Sequence, residues 1–309
     1  EDLGRLDNTL IIYIEGDNGT SAEGGPTGTP NEVASVQGVN LPVEAQMEYY
    51  DVWGSDRTYP HMSIGWTWAF GTPFTWTKMV SSHFGGTKQG TAISWPNVIK
   101  DTGGIRNQFH HVIDIAPTIL EATGIPLPEE VDGIKQNPMD GVSMRYAFES
   151  ADAPGQKKTQ YFEVFGSRAI YHDGYVASAF GPRIPWKPGI DPEMYNWRPD
   201  KDQWELYDLN NDFSQAVDLA ADQPEKLEEM KALQTDYLSI PARELVPYLA
   251  SLPVSGRSEE ALKLVSDWDY THSPLSVPAA IYVAWENAIG DLADQTFISE
   301  SVKAYIRWL

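Results

Sequence analysis

The feature that most constrains the fold is a run near the start of the chain, residues 9–14, which is almost continuously apolar and rich in β-branched side chains. Such a run is typical of a strand that is buried on both faces of a parallel sheet. A strand of this kind needs neighbouring strands, and a first strand is rarely the central one. Because the chain opens at Glu1 without an initiator Met, we expect a fragment or a processed chain from which a targeting signal has been removed.

Composition excludes several classes of protein. The chain has 309 residues, with 22 Lys and Arg against 44 Asp and Glu, and a formal net charge of −22. It has no basic block that could neutralise phosphates, so we expect no nucleic-acid partner. It has no apolar run of ~18 residues, so we expect no membrane span. The absence of Cys excludes disulfides, thiolate zinc sites, iron–sulfur clusters and a cysteine nucleophile.

The composition and patterning of the sequence change at two places, which predicts that the chain has three parts. Residues 1–150 combine the apolar run with long stretches rich in Gly, Pro and Thr. Residues 151–238 carry short strand-like runs followed by one helical pattern, which predicts a small antiparallel sheet with one helix. These runs are Tyr161–Phe165, Arg168–Tyr171, Tyr175–Ala179 and Trp204–Tyr207, with a hairpin signal at Asp173-Gly174. Residues 239–309 are predicted to form a helical tail.

Asp17, Asn18 and Gly19 directly follow the apolar run. Ligands of parallel sheets bind beyond the carboxyl ends of the strands, and the oxygens of Asp and Asn suit Ca²⁺ or Mg²⁺. The alternative is a plain turn, since Asn-Gly is a common turn dipeptide. Further along, Lys78 offers a point charge for a sulfate or phosphate group, although most lysines are solvated surface charges.

Residues 114–124 have the marks of a helix with both ends defined. Asp114 is a candidate N-cap, Pro117 falls in the first turn, and Gly124 closes the pattern. His110 and His111 precede this helix and are predicted to cap or pack. None of the His residues shows the spacing of a zinc site.

Four blocks, in order along the chain, resemble the second half of an arylsulfatase, a member of the sulfatase family. The resemblance covers residues 1 to about 237. The blocks are Asn8 to Gly19, then Gly65-Trp66 to Lys78 with Ser82 to Thr87, then Ile93-Ser94-Trp95-Pro96 to Asp114-Ile115-Ala116-Pro117-Thr118, and Trp204 to Leu209.

The resemblance implies an α/β class with an alkaline-phosphatase-like parallel sheet, a small antiparallel C-terminal domain, and hydrolysis of sulfuric esters. By motif, Asp17 and Asn18 would be ligands of calcium or magnesium. Lys78 would bind the sulfate of the ester substrate and act in catalysis by stabilising charge as the S–O bond breaks. Lys88 is interpreted as structural. A periplasmic or extracellular location is expected.

The nucleophile of such enzymes is a formylglycine made from the Cys or Ser of a Cys/Ser-x-Pro-x-Arg motif, which lies upstream of the Asp-Asn-Gly block. We therefore expect it in a missing N-terminal half or in a second chain. Residues 239–243 do read Ser-x-Pro-x-Arg. They lack the Thr-Gly sequel of the family, and a motif with three fixed positions arises easily by chance.

The tail from about residue 239 resembles a helical stretch of penicillin-acylase-like Ntn hydrolases, on segments 240–247, 266–270 and 276–285. Those enzymes use an N-terminal Ser, which Glu1 does not replace. Two alternatives to a sulfatase therefore stay open: a non-catalytic binding or accessory module, and a fragment of an amide hydrolase that rests on the tail only. A Cys/Ser-x-Pro-x-Arg upstream of Glu1 in the reading frame would favour the sulfatase.

Overall fold

The computed structural model describes residues 2–16, 18–187, 196–234, 239–251, 253–271 and 276–297. The chain divides into two compact units, Glu1–Gln234 and Thr235–Leu309. The first unit is a mixture of short helices and small antiparallel sheets, and the second is helical. No helix among the described residues is both long enough and apolar enough to span a membrane.

The elements of the first unit alternate irregularly along the chain. Its strands are β1 Ile11–Ile14, β2 Thr91–Ser94, β3 Glu130–Val131, β4 Ile134–Lys135, β5 Thr159–Val164, β6 Ser167–His172, β7 Tyr175–Ala179 and β8 Trp204–Asp208. Its α-helices are α1 Glu32–Val36, α2 Val43–Gln46, α3 Ile64–Gly71, α4 Phe84–Thr87, α5 Ile115–Thr123, α6 Arg145–Glu149 and α7 Pro224–Gln234. Short 3₁₀ helices lie at Leu6–Asn8, Met47–Val52, Val112–Asp114 and Pro199–Lys201.

The first strand differs from the sequence prediction. β1 pairs antiparallel with β2, with Ile11 opposite Ser94 and Ile14 opposite Thr91. Its side chains alternate between exposed and half-buried, and Ile11 and Tyr13 are 44% and 64% exposed. For the described residues, the prediction of a parallel sheet with a strand buried on both faces is therefore wrong. An apolar run fixes that a segment is extended, but the path of the intervening chain fixes the direction of its partner.

The antiparallel sheet was predicted correctly. Its order is β5-β6-β7-β8, and the turn between β6 and β7 is Asp173-Gly174, both with positive φ. One face packs Ile170, Ala177 and Leu206 against Met230 of α7. The other face packs Ala169, Tyr171 and Val176 against Phe84. The division at residue 150 into separate domains stays a prediction.

Residues 81–84 are tied to this sheet by buried polar contacts. Ser81 Oγ donates to the carbonyl of Ser167, and the backbone N–H of Ser82 donates to Ser167 Oγ at 3.1 Å. His83 Nε2 lies 3.1 Å from Glu205 of β8. Buried groups of this kind must be satisfied, so the contacts fix the loop that carries Lys78 close to the sheet.

Asp114 stands where the sequence predicts a cap, but it does not cap α5. Its own φ and ψ are helical and its side chain makes no capping bond to α5. Instead it accepts hydrogen bonds from the backbone N–H groups of His111 and Val142 and from Lys157 Nζ at 3.0 Å. A carboxylate can accept several hydrogen bonds at once, so the fully buried Asp114 joins several segments of the chain instead of capping one helix. Gly124 closes α5 with φ of 67°, as predicted.

The helical unit consists of α8 Ile240–Ala250, α9 Arg257–Ser266 and α10 Val277–Phe297. Its core lies within the unit and contains Ala242, Val246, Val265, Trp268, Ala279 and Tyr282. The described part of the tail is therefore helical, as the sequence predicts.

Candidate functional site

A cleft of about 490 Å³ in the first unit contains two of the residues that the sequence singles out, Asn18 and Lys78. One part of its lining comes from loops around these two residues, and the other part comes from β5 and the turn that follows it. The remaining lining residues are Met79, Ser81, Gly86, Thr87, His111, Tyr161, Phe162, Glu163, Val164 and Phe165.

Close backbone contact places the Asn18-Gly19 turn in this cleft. The backbone N–H of Gly19 donates to the carbonyl of Gly86 at 2.8 Å. A Cβ on Gly19 would lie 1.7 Å from the carbonyl oxygen of Gly85, so only glycine fits. Gly85 and Gly86 are themselves pressed against the carbonyls of Thr75 and Val80. Glycine is therefore required in both motifs because another backbone segment lies where a Cβ would be. This requirement is stricter than the general preference of turns for glycine.

Lys78 reaches the same place from a distant part of the sequence. Its backbone N–H donates to the carbonyl of Thr20 at 3.1 Å, and positive φ values at Trp76 and Met79 shape the chain around it. Its ammonium lies 2.9 Å from Oε1 and 3.2 Å from Oε2 of Glu23. Nothing in the sequence pattern pointed to Glu23 as the partner of Lys78.

Glu23 is the centre of a half-buried polar network. The Ser21 hydroxyl donates to it, and His61 Nε2 lies 2.8 Å from Ser21 Oγ. Burial alone would raise the pKa of Glu23, but the contacts with Ser21, Lys78 and His61 outweigh burial and lower that pKa below its ordinary value. Glu23 is therefore ionised at neutral pH and holds the Lys78 ammonium at the cleft.

The tautomer of His61 follows from its neighbours. The N–H of Gly24 donates to Nδ1 at 3.1 Å, and Ser21 Oγ needs a donor because its own proton goes to Glu23. The carbonyl of Met62 also lies 3.0 Å from Nδ1 and would favour a protonated Nδ1. We assign the ring proton to Nε2 because this satisfies both Gly24 and Ser21. Ser21 then donates to the Glu23 carboxylate and accepts from His61, so the imidazole is not its general base.

Among the described residues, Glu23, Glu32 and His61 form a group whose ligand atoms lie within 4.8 Å of one another. Glu23 already has a cation, the Lys78 ammonium, and the assigned tautomer puts a proton on His61 Nε2. We therefore assign no metal to this group. Of the predicted metal ligands, Asp17 lies outside the described residues. Asn18 lines the cleft, and its amide oxygen is of the hard type that fits calcium.

His111 is a cleft residue whose placement the sequence did not predict. It caps the 3₁₀ helix Val112–Asp114, in line with the predicted capping role, and its ring also lines the cleft. Burial and then the charge of Lys157 lower its pKa, and Asp114 opposes them. The imidazole is therefore neutral at pH 7 and can accept or donate one hydrogen bond. Its adjacency to a predicted helix start was the only signal in the sequence.

Ser239 has a structural role in the helical unit. Its Oγ accepts a hydrogen bond from the N–H of Ala242 at 3.1 Å, and its own N–H donates to the carbonyl of Tyr270 at 2.8 Å. It is the N-cap of α8. The Ser-x-Pro-x-Arg sequence thus reads as a cap followed by Pro in the first turn, an ordinary helix start.

Replacing Ser239 by alanine is expected to lower the free energy of unfolding of the helical unit by about 1 kcal/mol, the usual cost of losing an N-cap. Chemical denaturation followed by circular dichroism measures this. We expect hydrolysis of nitrophenyl sulfate by the chain to be absent before and after the change. Hydrolysis by the unaltered chain that the Ser239→Ala variant loses would show that Ser239 is a nucleophile.

The comparisons with known proteins agree with the first three of the four motif blocks. The family model described as Sulfatase matches residues 1–125. A curated relative, an uncharacterized sulfatase of Schizosaccharomyces pombe, is 30% identical over 234 residues. Over residues 1–125 the chain matches the sulfatase family. The aligned part is 74% of this chain but only 37% of that relative, so the chain spans little more than a third of the length of the sulfatase it matches.

A second family model, Penicillin amidase, matches residues 202–308. The resemblance of the tail to this family is thereby confirmed. The match begins well before residue 239 and includes β8 and α7, although the fold places both in the same unit as the sulfatase segment. The family boundary and the structural boundary therefore fall at different places in the chain.

Two solved structures resemble parts of the chain weakly. A protein from the Bacteroides thetaiotaomicron locus for the metabolism of multiple glycosaminoglycans is 17% identical, with a TM-score of 0.43 over 75% of this chain and 39% of that protein. The protein Ps i-CgsB is 17% identical, with a TM-score of 0.43 over 96% of this chain and 45% of its own. Neither similarity is strong enough to assign a fold.

Proposed function

We propose that the cleft binds the sulfate group of a sulfuric ester and takes part in its hydrolysis. The observation that carries this proposal is that Asn18 and Lys78, far apart in sequence, line one cleft. Both belong to the segment that matches the sulfatase family.

In this proposal Lys78 and calcium together supply the local positive charge. The chain has a net charge of −22 and repels sulfate esters at long range, so binding requires cations at the site itself. The Lys78 ammonium is held by Glu23 in place for this role. It contacts a sulfate oxygen in the bound ester and stabilises the negative charge that develops as the S–O bond breaks. A substrate that is small and weakly charged suits this site better than a highly sulfated polymer.

Calcium is the proposed metal, with Asp17 and Asn18 as its ligands. The support is the donor chemistry of a carboxylate and an amide oxygen, and the position of Asn18 in the cleft beside Lys78. When bound, calcium would supply positive charge for the sulfate. The side chains of this pair would hold and orient the ion, and Lys78 would act from the facing loop.

We place the formylglycine outside this chain, on a missing N-terminal half or a second chain. The chain has no Cys, and Ser239 is a helix cap. Among the described strands β1 pairs with β2 alone, so its other edge can pair with further strands of a larger, alkaline-phosphatase-like sheet. A periplasmic or extracellular location is part of the same proposal.

The test is binding of a sulfate ester to the purified chain before and after Lys78→Met. We expect inorganic sulfate and nitrophenyl sulfate to bind ~10–100-fold more weakly to the variant, because a charge-assisted hydrogen bond is lost. Titration calorimetry with and without calcium measures this. The matched control is Lys100→Met, which removes an exposed lysine that donates to the carbonyl of Pro96. Equal affinity in both variants would refute the role of Lys78.

The match to Penicillin amidase favours a second candidate, an amide-hydrolase segment in the tail. We propose that this part packs and does not catalyse, because enzymes of this kind use an N-terminal Ser, whereas Ser239 lies within the chain and caps α8. Hydrolysis of a chromogenic amide by the purified chain would contradict this assignment.

A further inference from the structure

The turn between β5 and β6 has an unusual residue at its tip. Phe165 and Gly166 are its central residues, with φ values of 51° and 82°. Two successive positive φ values in a two-residue hairpin are the mark of a type I′ turn, which strongly prefers Asn-Gly or Asp-Gly. A bulky aromatic residue with positive φ is sterically unfavourable. The ring also gains little from burial, since Phe165 is 55% exposed.

The next hairpin of the same sheet is an internal comparison. Asp173 and Gly174 have φ values of 44° and 88°, and this turn carries the favoured sequence. Both turns have two successive positive φ values and lie in the same sheet, yet only one uses a residue that suits this conformation. Local stability therefore does not account for Phe165.

The position of Phe165 offers a reason for its presence. Its ring lines the cleft that contains Lys78, and Tyr161 of β5 adds a second half-exposed ring to the same lining. Phe162 is partly committed to packing, since its ring lies 6.3 Å from that of Phe109. Two aromatic side chains thus remain available to a ligand whose anionic group reaches Lys78.

Charge restricts the chemistry of that ligand further. Glu163 lies between the two rings in sequence and also lines the cleft. One of its oxygens accepts the N–H of Gly166 at 2.7 Å, which fixes the carboxylate at the tip of the turn. This carboxylate would repel an additional anionic group on the ligand, whereas it would not repel an uncharged ring.

We infer that Tyr161 and Phe165 form the subsite for the leaving group, and that they select sulfate esters of an uncharged aromatic ring. This deepens the proposed function and rests on it. Lys78 binds the sulfate group, and the two rings stack on the aromatic ring of the ester. Glu163 disfavours esters that carry a second anionic group.

The test uses the full 309-residue chain with nitrophenyl sulfate, methyl sulfate and inorganic sulfate as probes. We expect Phe165→Asn to lower the affinity for nitrophenyl sulfate ~10-fold. The affinities for methyl sulfate and inorganic sulfate should stay unchanged. We expect the same change to raise the midpoint of thermal unfolding by ~2–4 °C, because Asn suits the turn. Phe165→Tyr should keep the affinity. A control is Phe70→Ala, which removes a ring that is 70% exposed on α3 and does not line the cleft.

Opposite effects on stability and on aryl binding are the signature of the proposed subsite. A Phe165→Asn variant that binds nitrophenyl sulfate as well as the parent chain, or that loses all three probes equally, would overturn the inference. If instead Lys78→Met leaves all affinities unchanged while Phe165→Asn weakens only the aryl probe, the proposed sulfate function fails and the aromatic subsite is supported.

Discussion

Replacing Asp114 by alanine is expected to lower the free energy of unfolding by about 3–5 kcal/mol, the usual cost of breaking a buried ion pair. The side chains of Asp114 and Lys157 are 0% and 3% exposed, and their charges lie 3.0 Å apart. Removing the carboxylate would leave the ammonium of Lys157 buried without its counter-charge. It would also leave the N–H groups of His111 and Val142 without their acceptor.

The chain supplies a matched control in the next residue. Lys158 pairs with Asp173 at 2.9 Å, but both side chains are more than half exposed. We expect Lys157→Met to destabilise the chain strongly and Lys158→Met to have little effect. Urea unfolding followed by circular dichroism compares the two. Similar effects in both variants would show that the buried pair contributes no more than a surface pair.

The same carboxylate predicts how stability depends on pH. Burial alone would raise the pKa of Asp114, but hydrogen bonds from His110, Val142, His111 and Lys157 lower it from 3.8 to about 2. Asp114 therefore stabilises the fold above about pH 3.8, and this contribution of about 2 kcal/mol is lost as the pH falls towards about 2. Urea midpoints measured across this range should fall for the parent chain and fall less for Asp114→Asn.

Replacing Trp268 by alanine is expected to cost the helical unit about 3–5 kcal/mol, as is usual for a large aromatic side chain in a core. Trp268 is 7% exposed and lies in the cluster that joins the three helices. Its ring packs 5.8 Å from those of Tyr270 and Tyr282, and its indole N–H donates to the carbonyl of Thr271. The change would leave a cavity and an unsatisfied carbonyl.

Hydrogen exchange of the amides in α8 and α9 reports on this unit directly. We expect Trp268→Ala to lower their protection by the same free energy, and Tyr248→Ala, which removes a side chain that is 68% exposed on α8, to leave it unchanged. Unchanged protection in both variants would mean that this cluster does not hold the helices together.

The antiparallel sheet illustrates what local sequence determines. The predicted runs at 161–165, 168–171, 175–179 and 204–207 coincide with β5 to β8 to within about two residues, and Asp173-Gly174 forms the predicted turn. The alternation of apolar and polar residues and the choice of turn residues are local signals that act over a few positions. The sequence alone therefore contains what is needed to predict these strands and this hairpin. The first three sulfatase-like blocks also lie within single segments, and the Sulfatase family model matches the residues that contain them, 1–125.

The tertiary structure decided what depends on distant residues. It paired β1 antiparallel with β2, because strand direction is set by the path of the connecting chain. It brought Glu23 to Lys78 and Phe165 to the same cleft, although no spacing pattern links them. The sequence by itself therefore determined the family resemblance of the first segment, the antiparallel sheet and the candidates Asn18 and Lys78. The partners of those candidates, and the buried charges that support them, come from contacts between segments, which only the folded chain defines.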